Sequence, residues 1–86
     1  MTYSLATKPE FDKDYVKLCK KNEGFRREVD KKIAQILQNP IHYKPLKVPM
    51  VGIRRVHLRS FVLTFIIEGD SVVLLTLKSH DEVYGK

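Results

Sequence analysis

"IRRVHLRSFVLTFIIEGDSVVLLTLK", residues 53–78, decides the fold. Its first piece, residues 53–59, alternates apolar and polar side chains, as a strand buried on one face does. Its second, 61–67, is a continuous apolar run, and its third, 72–78, nearly so. Such runs suit central strands, covered on most of both faces. "EGDS", residues 68–71, lies between them and reads as a tight hairpin turn. Residues 53–78 therefore predict three antiparallel strands in a row.

Upstream, "TYSLA", residues 2–6, alternates as a short strand. Residues 7–24 predict a helix: Phe11, Tyr15 and Leu18 recur at helical spacing. Thr7 and Glu10 resemble a capping box, Pro9 suits a first turn, and Gly24 closes the helix. Residues 25–40 predict a second helix, with Val29, Ile33, Ile36 and Leu37 on one stripe and Asn39–Pro40 as its stop. Two helices so closely joined pack as a hairpin. Residues 40–52 hold three prolines and one glycine and read as an ordered loop. The order strand, helix, helix, three strands predicts an α+β fold: one antiparallel sheet with the helical hairpin on one face, and residues 1–86 as a single domain.

The chain's 86 residues support only a small core, burying about 60–65% of the unfolded surface. The apolar fraction of 43% with 30% charged is that of a globular chain and excludes intrinsic disorder. No apolar run approaches the roughly 20 residues of a membrane span, and no secretion signal is evident. Cys19 is alone, which fits a reducing cytoplasm. Mid-helix beside Leu18, it reads as a small buried apolar residue rather than a nucleophile. The net charge is +6, and between Asp30 and Glu68 there is no acid at all. Such a basic stretch is either an ordinary solubilising surface or the footprint of a polyanion partner.

If 53–59 is a strand, Val56 and Leu58 share one face with Arg54, while Arg55, His57 and Arg59 share the other. With the helices covering one side, the open side carries Arg55, His57 and Arg59. Lys78 and His80 approach from the last strand, Lys44 and Lys47 add charge from the loop, and Tyr84 follows. No metal-binding spacing such as CxxC or HExxH is present, so no metal site is expected. No glycine-rich phosphate loop occurs, and no cofactor is expected. RNA backbone cleavage suits this residue set. It needs a base for the 2′-hydroxyl proton, an acid for the leaving 5′-oxygen, and cations for the charge on phosphorus. Imidazole suits either proton role, guanidinium suits phosphate, and tyrosine stacks on bases or exchanges a proton. Taken singly, each histidine reads more readily as a half-exposed strand or loop residue; only the two together, with three arginines and a tyrosine in one region, bring the chemical reading level with that one.

The element order, "NPIHYKPLK", "RRVHLRSFVLTFII" and the closing "HDEVYG" together resemble the RelE/ParE superfamily of toxins, most closely archaeal RelE-like and YafQ-type members. The resemblance covers essentially the whole chain. It implies a fold akin to microbial ribonucleases and a metal-independent mRNA interferase, an endoribonuclease that cuts mRNA on the ribosome. It also implies a cytoplasmic toxin of a type II toxin–antitoxin system, neutralised by a cognate antitoxin protein. By position it implies catalytic roles for Arg55, His57, His80 and Tyr84. Lys78 falls near a transition-state arginine, and Lys47 in a "PLK" element that is more structural. Arg54, Arg59 and Lys44 complete the expected RNA-binding set. The pattern departs at Val62, where many members carry an arginine, and at Arg59, where glycine is common. A C-terminal helix found in some members is expected to be missing. Two alternatives stay open: a ParE-like toxin directed at DNA gyrase, and a catalytically weak member that only binds RNA or antitoxin.

Overall fold

The computed structural model describes residues 2–45 and 52–85. The element order is β1 (Ser4–Thr7), α1 (Pro9–Cys19), α2 (Glu23–Gln38), a 3₁₀ turn at Pro40–His42, β2 (Arg54–Leu58), β3 (Phe61–Glu68), β4 (Ser71–Ser79) and α3 (His80–Tyr84). The expected α+β architecture is present. Residues 53–78 form the antiparallel series β2–β3–β4, turned at Gly69, whose φ of 61° lies in the left-handed region that glycine tolerates.

The sheet order is β1-β4-β3-β2, and β1 pairs with β4 in parallel. The sheet is thus mixed, not wholly antiparallel. The reason is topological: both helices and two strands separate β1 from β4, so no hairpin geometry constrains their direction. Thr7, the last residue of β1, aligns with Leu74 of β4 and is committed to the sheet. It therefore caps nothing; Lys8 holds the cap position of α1 without a side-chain bond. Gly24 likewise closes no helix. Asn22 caps α2 by accepting a hydrogen bond from the Phe25 N–H at 2.9 Å, so Gly24 lies in the first turn of that helix.

One face of the sheet carries Val56, Leu58, Leu63, Phe65, Val72, Leu74 and Leu77 against Phe11, Cys19, Phe25, Val29 and Ile36 of the helices. The predicted stripes are these contact faces, and Cys19 is buried among them as expected. Between the helices, the Tyr15 hydroxyl donates to Asp30 Oδ1 at 2.7 Å. Burial first, then this carboxylate, pushes the Tyr15 phenol up to about 12. The folded state thus favours the neutral phenol. Its contribution to stability is complete below the ordinary value of 10.0 and is lost as pH rises through about 12. A phenolate absorbance titration should contain one late step that disappears in Tyr15→Phe. An unchanged titration in that variant refutes the assignment.

The second face is not bare. Val62 and Thr64 are 0% and 4% exposed yet lie outside the helix-facing core. The continuous run 61–67 puts these side chains on the far side, and α3 folds back against β3 and β4 there. This five-residue turn of helix, which ends at Tyr84, is an element that the sequence reading does not predict.

Candidate active site

α3 exists because both its ends are capped. The Glu82 N–H donates to Ser79 Oγ at 3.2 Å, and the Ser79 N–H donates to Glu82 Oε1 at 3.1 Å, a reciprocal capping box. Hydrogen bonds from Ser79 hold the Glu82 carboxyl below its ordinary value. Gly85, at φ 71°, ends the helix in the left-handed conformation. The His80 N–H donates to the Ser60 carbonyl at 2.9 Å, which pins the start of α3 to the β2–β3 turn.

His80 and Tyr84 are four residues apart on this helix and so share a face. Their ring centroids are 4.4 Å apart. His57 projects from β2 to meet both: its ring lies 5.8 Å from His80 and 6.3 Å from Tyr84, the latter nearly parallel at 13°. Three side chains from two distant parts of the sequence thus form one aromatic cluster. It remains open to solvent, with the His80 side chain 51% and Tyr84 40% exposed. Beneath it, Val62 stands directly opposite His57 in the β2–β3 register. Asp81 Oδ1 is 4.0 Å from His80 Nδ1, beyond hydrogen-bond reach, so it does not orient the imidazole.

The cations divide into two groups. Arg55 shares the face of His57, and its Nη1 donates to the Pro45 carbonyl at 2.9 Å. Arg54 lies on the other face, where its Nη1 donates to the Tyr43 carbonyl at 2.8 Å. Carbonyl oxygens hold these guanidiniums without neutralising them. Lys44 is exposed, and its carbonyl accepts the Arg55 N–H. Lys47 lies outside the described residues.

Arg59 and Lys78 are differently engaged, and both depart from the expected open-face position. Arg59 has φ 57°, a left-handed conformation that swings its side chain toward the helices. There it clamps Glu28 of α2 through two bonds of 3.1 and 2.6 Å and lies over the Phe25 ring at 5.3 Å. It therefore does not replace the charge absent at Val62. Lys78 pairs with Asp14 at 2.8 Å and Glu10 at 3.0 Å, both on α1. Beyond Leu74, β1 no longer covers the edge of β4. The free Leu77 N–H on that edge is taken by Asp14 Oδ2 at 3.0 Å, and Lys78 joins the same carboxylate. Those bonds, to Asp14 first, push Lys78 up to about 12. Lys78 is thus an edge clasp with its charge already matched.

Residues 5–84 match the ParE toxin family of type II toxin–antitoxin systems, parDE. The chain belongs to this family of toxins, within the RelE/ParE superfamily. A Methanocaldococcus jannaschii protein carrying the toxin name RelE4 is 36% identical over 87 residues, spanning 98% of this chain and 93% of that one. A mutant of the Escherichia coli toxin RelE in the free state superposes with a TM-score of 0.77 at 22% identity, covering 99% of this chain and 93% of that one. A chain of the E. coli DinJ–YafQ toxin–antitoxin complex gives 0.76 at 16%, covering 99% and 100%. At these identities the two structures share the fold, and the expected likeness to RelE-type toxins holds.

Proposed function

We propose that this toxin is an endoribonuclease that cuts mRNA on the ribosome in the cytoplasm and is silenced by a cognate antitoxin. The observation that carries the reading is the convergence of His57, His80 and Tyr84 within 4.4–6.3 Å. Two imidazoles this close can divide the labour of one phosphodiester cleavage. One takes the 2′-hydroxyl proton as that oxygen attacks the adjacent phosphorus. The other gives a proton to the 5′-oxygen as its bond to phosphorus breaks. The products are a 2′,3′-cyclic phosphate and a 5′-hydroxyl, and the proton count balances across the pair. The Arg55 guanidinium, on the same face and held only by a carbonyl, supplies charge for the phosphoryl oxygens. Tyr84 offers an exposed ring for a base to stack on. The scheme draws on side chains alone and requires no metal. The antitoxin partner is supported by family membership and by the toxin–antitoxin complex among the structures of this fold.

The test is to add the purified chain to a translation extract with a chelator present and map the mRNA ends. Discrete cuts that need the ribosome are expected. Intact mRNA, with a DNA-damage response on expression, favours instead a gyrase-directed toxin, the activity for which paired histidines have no evident use.

A further inference from the structure

With Arg59 and Lys78 already paired, unmatched positive charge beside His57 comes also from α2. A groove of about 330 Å³ runs between α2 and the end of β2, lined by Lys31, Lys32, Gln35 and His57, with Glu28 and Arg59 at one side. Both oxygens of Glu28 are occupied by Arg59, whose bond holds the Glu28 carboxyl below its ordinary value. That pair cancels itself. Lys31 and Lys32 have no carboxylate within ion-pair distance among the described residues, so the groove keeps a net charge from both. His57 belongs to the groove and to the aromatic cluster at once, so the two form one continuous surface. Among the described residues, the exposed large apolar side chains Leu5, Val16 and Ile41 lie elsewhere, Tyr84 stands in the adjoining aromatic cluster and not in the groove's lining, and Leu58, which does line it, is buried. Within the groove itself a peptide partner would find charge but no exposed apolar anchor.

We propose that this groove is a phosphate subsite for the RNA strand flanking the scissile bond, with Lys31 and Lys32 as its cations. The inference rests on the nuclease reading and extends it to residues that no sequence motif marked. Each phosphate neutralised on a single strand contributes about 0.7 to the slope of log affinity against log salt. The measurement is fluorescence anisotropy of the isolated chain with a short single-stranded RNA carrying 2′-O-methyl riboses, which cannot be cut, across a salt series.

K31A/K32A should weaken binding roughly 10- to 30-fold near 0.1 M salt and flatten the slope by about 1.4. K20A/K21A, which removes equal charge from the end of α1, should leave both values unchanged. E28Q, which frees Arg59, should tighten binding up to about 5-fold, a gain that misfolding does not produce. The proposal is overturned if K31A/K32A binds RNA like the wild type, or if K20A/K21A loses as much. It is also overturned if K31A/K32A impairs only antitoxin binding. A wild-type chain that cuts mRNA while K31A/K32A binds normally removes the groove alone. A wild-type chain that neither binds nor cuts RNA removes the nuclease reading beneath it.

Discussion

His80→Ala is expected to slow mRNA cleavage by about 10²–10⁴-fold, the usual effect of deleting a positioned acid or base. The fold should survive, because the His80 side chain is half exposed and its backbone bond to Ser60 does not need the imidazole. His57→Ala should fall in the same range. The double variant should lose little more than either single one, because the two rings act in one step. Tyr84→Phe separates the two roles open to the tyrosine. Wild-type rates in that variant assign it to base stacking, and a large loss assigns it a proton. Single-turnover cleavage with matched thermal midpoints decides the matter. His57→Ala and His80→Ala variants that both cut within about threefold of wild type would falsify the assignment of the cluster as the active site.

Asp14→Ala should be strongly destabilising for a change at a polar side chain, at about 2–3 kcal/mol. Asp14 is buried and satisfies two groups, the Leu77 N–H and the Lys78 ammonium. Its loss strands a backbone donor on the edge of β4 and leaves Lys78 with only the exposed Glu10. The full buried-pair cost of about 3–5 kcal/mol is not reached, because Lys78 keeps access to water. For a domain of this size the thermal midpoint should drop roughly 10–20 °C. Asp14→Asn, which keeps an acceptor for Leu77, should lose less. A drop of under about 2 °C for the alanine variant sinks the clasp. The pH dependence has a definite sign. Lys78 is raised from 10.5 to about 12 in the folded state, so its contribution is complete below 10.5 and is lost as pH rises through about 12.

The periodicity of residues 53–78 and the stripes of the two helices made most of the architecture legible. Burial of one face is written directly into spacing. The direction of β1 was not legible, since four residues carry no record of which way their partner runs. Among the candidate site residues, His57 could be drawn toward His80 and Tyr84 by strand alternation and by the place of the latter two after the last strand. α3 was missed although Ser79 and Glu82 stand at capping-box spacing, a signal obscured by the shortness of the segment after it. Arg59 and Lys78 were misplaced for a common reason. Strand alternation gives the side on which a side chain starts, while a long cation ends wherever a carboxylate waits for it. Here Glu28, Glu10 and Asp14 come from helices remote in sequence. Asp14, the buried acid, carried no signal beyond its polarity on an otherwise ordinary helix.

The sheet order β1-β4-β3-β2 has a consequence for how the toxin comes into being. During vectorial synthesis β1 emerges first, and its neighbour β4 follows only after both helices and two other strands. Until residues 71–79 exist, β1 has nothing to pair with and α1 lacks the strand it packs on. His80 and Tyr84 come later still. Before β4 is made, a nascent chain therefore has neither a closed sheet nor an assembled cluster. The strand order thus makes the closed sheet and the joining of His57 to His80 and Tyr84 depend on the same segment, β4.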